Sequence, residues 1–236
     1  MYSPKLKCEK TDGTLSSNIS NLNTDVSERE YLAELLGFSD KSSASRNADI
    51  LLLRYGSLDG IFYASREELT ELIGERTALF IKIIAAINSR RVTDAVRVGR
   101  VYSLDKIIEY AVATFIGQST ESVYLLSFGE GGKFLGMDKL GEGTVNSSDI
   151  YPRRIAEATT RRRAKTAILA HNHPFGTATP SESDIISTTR LFVTALSFGV
   201  LLTHHIIVAE REFTLLEVNK ETGEVTNKGK HIQDRR

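Results

Sequence analysis

Apolar positions along the chain fall into two rhythms, and the change between them comes near residue 100. From Val26 to about Arg91 the spacing is helical, through "EREYLAELLGF", "RNADILLLRYG", "SLDGIFYA" and "SREELTELIGERTALFIKIIAAINSRR". Leu69, Leu72 and Ile73, then Leu79, Ile81 and Ile84, approximate the period of an α-helix, and Gly74 interrupts the run between two helices. A small all-helical module is therefore expected over residues 26–93. Before it, residues 1–25 are rich in Ser, Thr, Asn and Lys with scattered apolar residues, the composition of a disordered tail.

Beyond residue 100, helices and strands alternate. "SLDKIIEYAVATFIG" starts with Ser103 as a cap and places Leu104, Ile107, Ile108, Ala111, Val112 and Phe115 on one face. "SVYLLSF" predicts a strand, "GEGGK" a turn and "FLGMDKLGEGTV" a second strand. "PRRIAEATTRRRAK" reads as a helix after its leading proline, and "TAILAHNH" as an apolar strand. A helix follows over roughly 180–198, then the strands "GVLLTHHIIVA" and "EFTLLEV". This alternation predicts an α/β fold, a sheet with helix-covered faces, over residues 101–222. The polar end, residues 223–236, reads as a frayed tail.

Composition narrows the chemistry. The single Cys8 allows neither a disulfide framework nor a cysteine-based zinc site, so any metal must be held by His, Asp or Glu. Thirty basic residues balance thirty acidic ones, which removes the global positive charge usual in nucleic-acid binders. No apolar run approaches the ~20 residues of a membrane span, and "MYSPKLKCEK" has no apolar signal-peptide core. A cytoplasmic protein without membrane contact is the expectation.

Candidate chemistry concentrates in "LAHNHPFGTATPSESD", Leu169 to Asp184, which holds two of the five histidines. Side chains alternate along a strand, so His171 and His173 leave "TAILAHNH" on the same face. Thr179 as cap, Pro180 at the first helical position and Glu182 three residues after Thr179 predict a helix start. Ser181 and Asp184, three apart, then share a face of that helix. Two neutral imidazoles and a carboxylate suit zinc, with the fourth tetrahedral position left to a water that becomes acidic enough to supply hydroxide. A lone H-x-H is also compatible with two satisfied strand histidines; the spacing to Ser181 and Asp184 turns the choice toward a metal site.

This stretch resembles the JAMM zinc motif of the JAB/MPN family: H-x-H, seven residues from Pro174 to Pro180, then S-x-x-D. "ILAHNHPFG", "PSESD" and "HHIIV" are similar more narrowly to its bacterial RadC-like branch, over Val101 to about Val218. The resemblance implies a mixed sheet flanked by helices of the cytidine-deaminase-like JAB/MPN kind, preceded by a helix-hairpin-helix-like module. It implies Zn2+ on His171, His173 and Asp184, and oxyanion stabilisation by Ser181. It also implies a general base at the start of the strand after the first domain helix, where Glu121 stands, with Glu130 and Glu142 as alternatives. A zinc-dependent hydrolase follows, a metallopeptidase or isopeptidase acting on a peptide or protein of unknown identity. His205 is expected to be structural or to support the ligands, and His204 to be exposed.

The alternative is a non-enzymatic, DNA-associated module. Helix-hairpin-helix turns grip phosphate through a G-apolar-G turn, but here "LIGERTA" puts Glu75 and Arg76 where the apolar residue and second glycine belong. Glu75 would repel phosphate, and residues 26–100 carry 11 basic and 11 acidic side chains. The cluster Arg153, Arg154, Arg161, Arg162, Arg163 and Lys165 reads as a solvated helix face, or else as a surface for an acidic partner or a phosphate backbone. H-E-x-x-H, P-C-x-x-C, G-x-S-x-G and phosphate-loop motifs are absent.

Overall fold

The computed structural model describes residues 27–142, 150–174, 176–210 and 212–232. The expected tail over residues 1–25, with Cys8, lies outside them. Five helices come first: α1 (Glu28–Gly37), α2 (Ala44–Tyr55), α3 (Leu58–Tyr63), α4 (Arg66–Ile73) and α5 (Glu75–Thr93). Serine hydroxyls cap three of them. The hydroxyls of Ser27, Ser57 and Ser65 accept from the amides of Glu30, Gly60 and Glu68, and Glu30 and Glu68 complete reciprocal capping boxes. Their apolar stripes enclose a core of their own around Leu32, Leu36, Leu51, Ile61, Leu69 and Ile81.

Gly74 alone joins α4 to α5, with φ +80°, a conformation that disfavours any residue with a Cβ. Glu75 and Arg76 are thus the first turn of α5, and Glu75 pairs with Arg66 at 2.8 Å. A carboxylate therefore stands at the helix end where a phosphate would approach.

The second part starts with α6 (Leu104–Phe115), capped by Ser103 as expected. It continues through β1 (Ser122–Phe128), β2 (Phe134–Glu142), α7 (Ile150–Arg162), β3 (Thr166–Asn172), α8 (Glu182–Ser197), β4 (Leu201–Ala209), β5 (Glu212–Val218) and β6 (Val225–Ile232). The six strands form one mixed sheet in the order β2-β1-β3-β4-β5-β6. Only the pair β3–β4 is parallel, linked by α8. Strand alternation divides the core into two layers. Val123, Leu125, Ala167, Leu169 and Leu202 face α7 and α8, whereas Leu126, Phe128, Ile168, Ala170, Ile206 and Val208 face α6. The helical part joins the second layer through Tyr63, whose hydroxyl donates to the Glu210 carbonyl at 2.6 Å.

Three expectations are corrected. Residues 225–232 are not a frayed tail but the edge strand β6, set by a turn in which Asn219 accepts from the amides of Glu221 and Thr222. Lys228 pairs with Glu217 across the two strands at 2.6 Å. An edge strand is free to be polar, which hid it from hydropathy. Secondly, α8 starts two residues later than expected, because Ser181 rather than Thr179 is its cap. Thirdly, the basic cluster is not simply a solvated face. Arg161 reaches Asp138 at 2.5 Å; Arg162 binds Asp138 and donates to the carbonyls of Leu135 and Met137, clamping α7 to β2. Gly136 makes room for that clamp, since a Cβ there would lie 2.1 Å from the Arg162 guanidinium.

Candidate metal centre

The site forms where β3 ends and α8 begins. His171 is the sixth residue of β3 and points toward the α7/α8 layer, buried at 2% exposure. His173, one residue past the strand, leaves on the same side, and its amide still pairs with the Val208 carbonyl of β4 at 2.8 Å. The chain then turns, anchored by the fully buried Ala178, and Asp184 returns from the first turn of α8.

These three residues converge. His171 Nε2 lies 2.8 Å from His173 Nε2 and 3.2 Å from Asp184 Oδ1, and His173 Nε2 lies 3.5 Å from Asp184 Oδ2. Zinc–nitrogen and zinc–oxygen bonds of 2.0–2.2 Å at tetrahedral angles place ligand atoms about 3.3 Å apart, and each of these separations, one to each Asp184 oxygen, lies within about 0.5 Å of that. The hydrogen pattern points the same way. His173 Nδ1 faces the Thr177 carbonyl oxygen at 2.8 Å, and a carbonyl can only accept, so Nδ1 carries the hydrogen. In the neutral ring, Nε2 therefore presents a lone pair to the other two ligands. Electron pairs aimed at one point are what a cation requires.

The electrostatics are those of a site short of positive charge. Burial alone would raise the Asp184 carboxyl, but His171 and His173, aided by the Ser181 hydroxyl, hold it far below the usual carboxylate range. Asp184 in turn pushes His173 upward against burial, its hydrogen bond being the largest influence.

Ser181 is placed beside Asp184 as the motif requires, yet as the cap of α8 and not on its face. Its hydroxyl donates to Asp184 Oδ2 at 2.7 Å and accepts from the Asp184 amide at 3.1 Å, while its own amide donates to the same carboxylate at 2.7 Å. A reciprocal capping box thus fixes the Asp184 rotamer. The competing pair Thr179 and Glu182 has the same grammar but is not used.

Glu121 immediately precedes β1, whose Val123 pairs with His171. It is half-buried, and its carboxyl is raised, first by burial and then by Asp184, against the lowering influence of His171 and His173. The alternatives are less suited to accept a proton. Glu130 is exposed at the opposite end of β1. Glu142 is held below the usual range by Lys139, at 2.8 Å, and by the Thr120 hydroxyl, at 2.7 Å.

Two residues not singled out from the sequence support the arrangement. Asn172, between the histidines and so on the opposite face, is buried. Its Oδ1 accepts from the Ser122 amide at 2.8 Å and its Nδ2 donates to the Thr120 carbonyl at 3.2 Å, holding the backbone on both sides of Glu121. Thr188, four residues after Asp184 on α8, touches His205, which packs against His171 as expected of a supporting histidine. Their positions, one alternation and one helical turn from ligands, are the signals that could have found them. His204 is half-buried rather than exposed, near Glu217 on β5.

Residues 101–221 match the family model of the RadC-like JAB domain, a span that holds all five candidate site residues. The chain belongs to the RadC-like JAB family. It is 31% identical over 198 residues to a UPF0758 protein of Desulforudis audaxviator, covering 82% of this chain and 86% of that protein. It is 32% identical over 196 residues to a UPF0758 protein of Cupriavidus taiwanensis, covering 81% and 86%. Both alignments are longer than the JAB span, so the likeness to these relatives reaches outside it. The mixed sheet flanked by helices, with further helices ahead of it, agrees with the JAB/MPN architecture. Among the described residues, no helix is long and apolar enough to cross a membrane.

Proposed function

We propose that this RadC-like protein is a zinc-dependent hydrolase of the JAMM type, a metallopeptidase or isopeptidase that cuts a peptide or protein substrate with water. The observation that carries this reading is the convergence of His171, His173 and Asp184, with the raised carboxyl of Glu121 beside them. Zinc held by these ligands supplies a Lewis acid that polarises the scissile carbonyl and acidifies a bound water.

The protein's own groups then divide the work. Glu121, its affinity for protons increased by burial, accepts the proton released by the attacking water and delivers it to the leaving amine. Asn172 keeps Glu121 at the edge of the site by holding the peptide groups on either side. Ser181 donates to the oxyanion as it develops, which requires its hydroxyl to turn from Asp184 Oδ2 toward the substrate. The Ser181 amide remains on Asp184, so the ligand stays fixed when the hydroxyl leaves.

The test is turnover of a peptide and isopeptide library by the zinc-loaded chain, read by mass spectrometry. Glu121→Gln is expected to keep near-stoichiometric zinc while losing cleavage by at least about 100-fold, the usual contribution of a general base. Unchanged cleavage in Glu121→Gln would remove Glu121 from the mechanism, and unchanged cleavage after complete removal of the metal would overturn the reading.

A further inference from the structure

A one-way chain of hydrogen bonds runs behind the site, away from the substrate side. Thr188 Oγ1 lies 2.6 Å from the Asp184 carbonyl oxygen and 2.6 Å from His205 Nδ1; His205 Nε2 lies 2.7 Å from His171 Nδ1. All three side chains are buried, Thr188 completely and the two histidines at 2% exposure. From these contacts we infer that Thr188, acting through His205, is a positioning residue that fixes the tautomer of His171, so that His171 Nε2 offers its lone pair to the metal. The inference rests on the metal-site reading above and adds to it the group that orients one ligand.

Each link follows from what its atoms can do. The Asp184 carbonyl only accepts, so the one hydroxyl hydrogen of Thr188 is committed to it. Toward His205, Thr188 can then only accept, and His205 Nδ1 must carry a hydrogen. Neither nitrogen of His205 touches a carboxylate, and an enclosed imidazolium without a counter-ion is costly, so the ring is neutral and Nε2 is an acceptor. His171 Nδ1 is accordingly the donor of the last bond. The hydrogen of the neutral His171 ring is thereby spent at the back, leaving Nε2 bare where it faces His173 and Asp184. With the other His171 tautomer, an N–H would point among the ligands and two acceptors would meet at 2.7 Å behind them.

Asp184 stands at both ends of this chain. Its carbonyl sets the direction of the Thr188 hydroxyl, and its carboxylate lies beside the nitrogen that the chain orients. Four residues on α8 suffice, because a Thr hydroxyl reaches the carbonyl one turn back. His205 is supplied by β4, which pairs with β3 so that Leu169 stands opposite His205, two residues before His171.

The experiment measures zinc affinity and ring tautomers, so it is independent of turnover. Thr188→Val keeps the shape and removes the acceptor; zinc affinity, by competition with a chromophoric chelator, should fall about 10- to 100-fold, the usual effect of losing a partner behind a ligand. Thr188→Ser should restore most of it. In a His205→Gln background, whose amide no longer depends on Thr188 for a tautomer, adding Thr188→Val should change affinity little. In the zinc-loaded wild type, where the facing lone pairs of His171 and His173 are on the metal, ring 15N shifts should show the hydrogen on Nδ1 of both His171 and His205, and Thr188→Val should mix the His205 tautomers.

An Nε2–H tautomer at His205 in the zinc-loaded wild type would overturn the inference. So would unchanged affinity in Thr188→Val, or an equal loss in both backgrounds, which would mean that Thr188 acts through Asp184 and not through His205. A protein that shows the relay but cleaves nothing would instead count against the hydrolase reading alone.

Discussion

Two histidine pairs lie on neighbouring strands and meet opposite fates. His171 and His173 are separated by one residue at the end of β3, so both rings project to the same side and their Nε2 atoms come within 2.8 Å. His204 and His205 are adjacent in β4, so the sheet divides them: His205 is enclosed behind His171, and His204 lies half-buried on the other side near Glu217. The same residue type therefore stands in the candidate metal centre, behind it, or half-buried on the far face according to a spacing of one or two along a strand. Asn172 obeys the same rule in reverse. Being between the ligands, it faces away from them and holds the chain around Glu121 instead.

The comparison breaks most visibly at the ligands. His171→Ala should abolish near-stoichiometric zinc binding, measured by metal analysis after desalting, whereas His204→Ala should leave it intact. Zinc retained by His171→Ala would show that the converging nitrogens are not the site. Next in size, Asn172→Ala should destabilise the fold by about 1–3 kcal/mol, because the Ser122 amide loses its partner in a buried place and the Thr120 carbonyl loses a donor. Cleavage should fall with it, while zinc affinity stays within a few-fold; a loss of zinc equal to that in His171→Ala would make Asn172 a support of the ligands and not of Glu121.

Acidification separates His205 from His173. Burial holds His205 well below the usual histidine range, so the fold prefers it neutral, and its contribution is present above the unfolded value of about 6.5 and lost as pH falls below it. His173 is raised by Asp184 and acts in the opposite sense, giving stability that is lost as pH rises through its folded value. The wholly enclosed His205 should dominate, so the metal-free protein should show a Tm that falls by several degrees from pH 7 to pH 5. In His205→Gln that slope should flatten or reverse, and a slope unchanged by the substitution would place the titration elsewhere. The smallest effect is expected at half-buried His204, where Ala should shift stability by about 1 kcal/mol or less.

The readable parts were those whose cause is local. Ser103 and the stripe Ile107, Ile108, Ala111, Val112 and Phe115 place α6 directly, and the alternation of "TAILAHNH" places both histidines on one face. The spacing to Asp184 is local as well, but the cap expected at Thr179 with Glu182 falls at Ser181 with Asp184, where the carboxylate also meets two imidazoles. What stayed hidden depends on distant chain. β6 is polar because an edge strand tolerates it, Arg162 finds its carbonyl acceptors only where Gly136 opens β2, and Thr188 meets His205 only after α8 packs on β4.

The central assignment is a metal held by His171, His173 and Asp184, and anomalous diffraction from zinc-loaded crystals at the zinc edge addresses it most directly. A single strong peak is predicted within about 2.0–2.2 Å of His171 Nε2, His173 Nε2 and an Asp184 carboxylate oxygen, with the fourth position open toward Glu121. A peak coordinated by other residues, or none in a fully folded protein at saturating zinc, would contradict it.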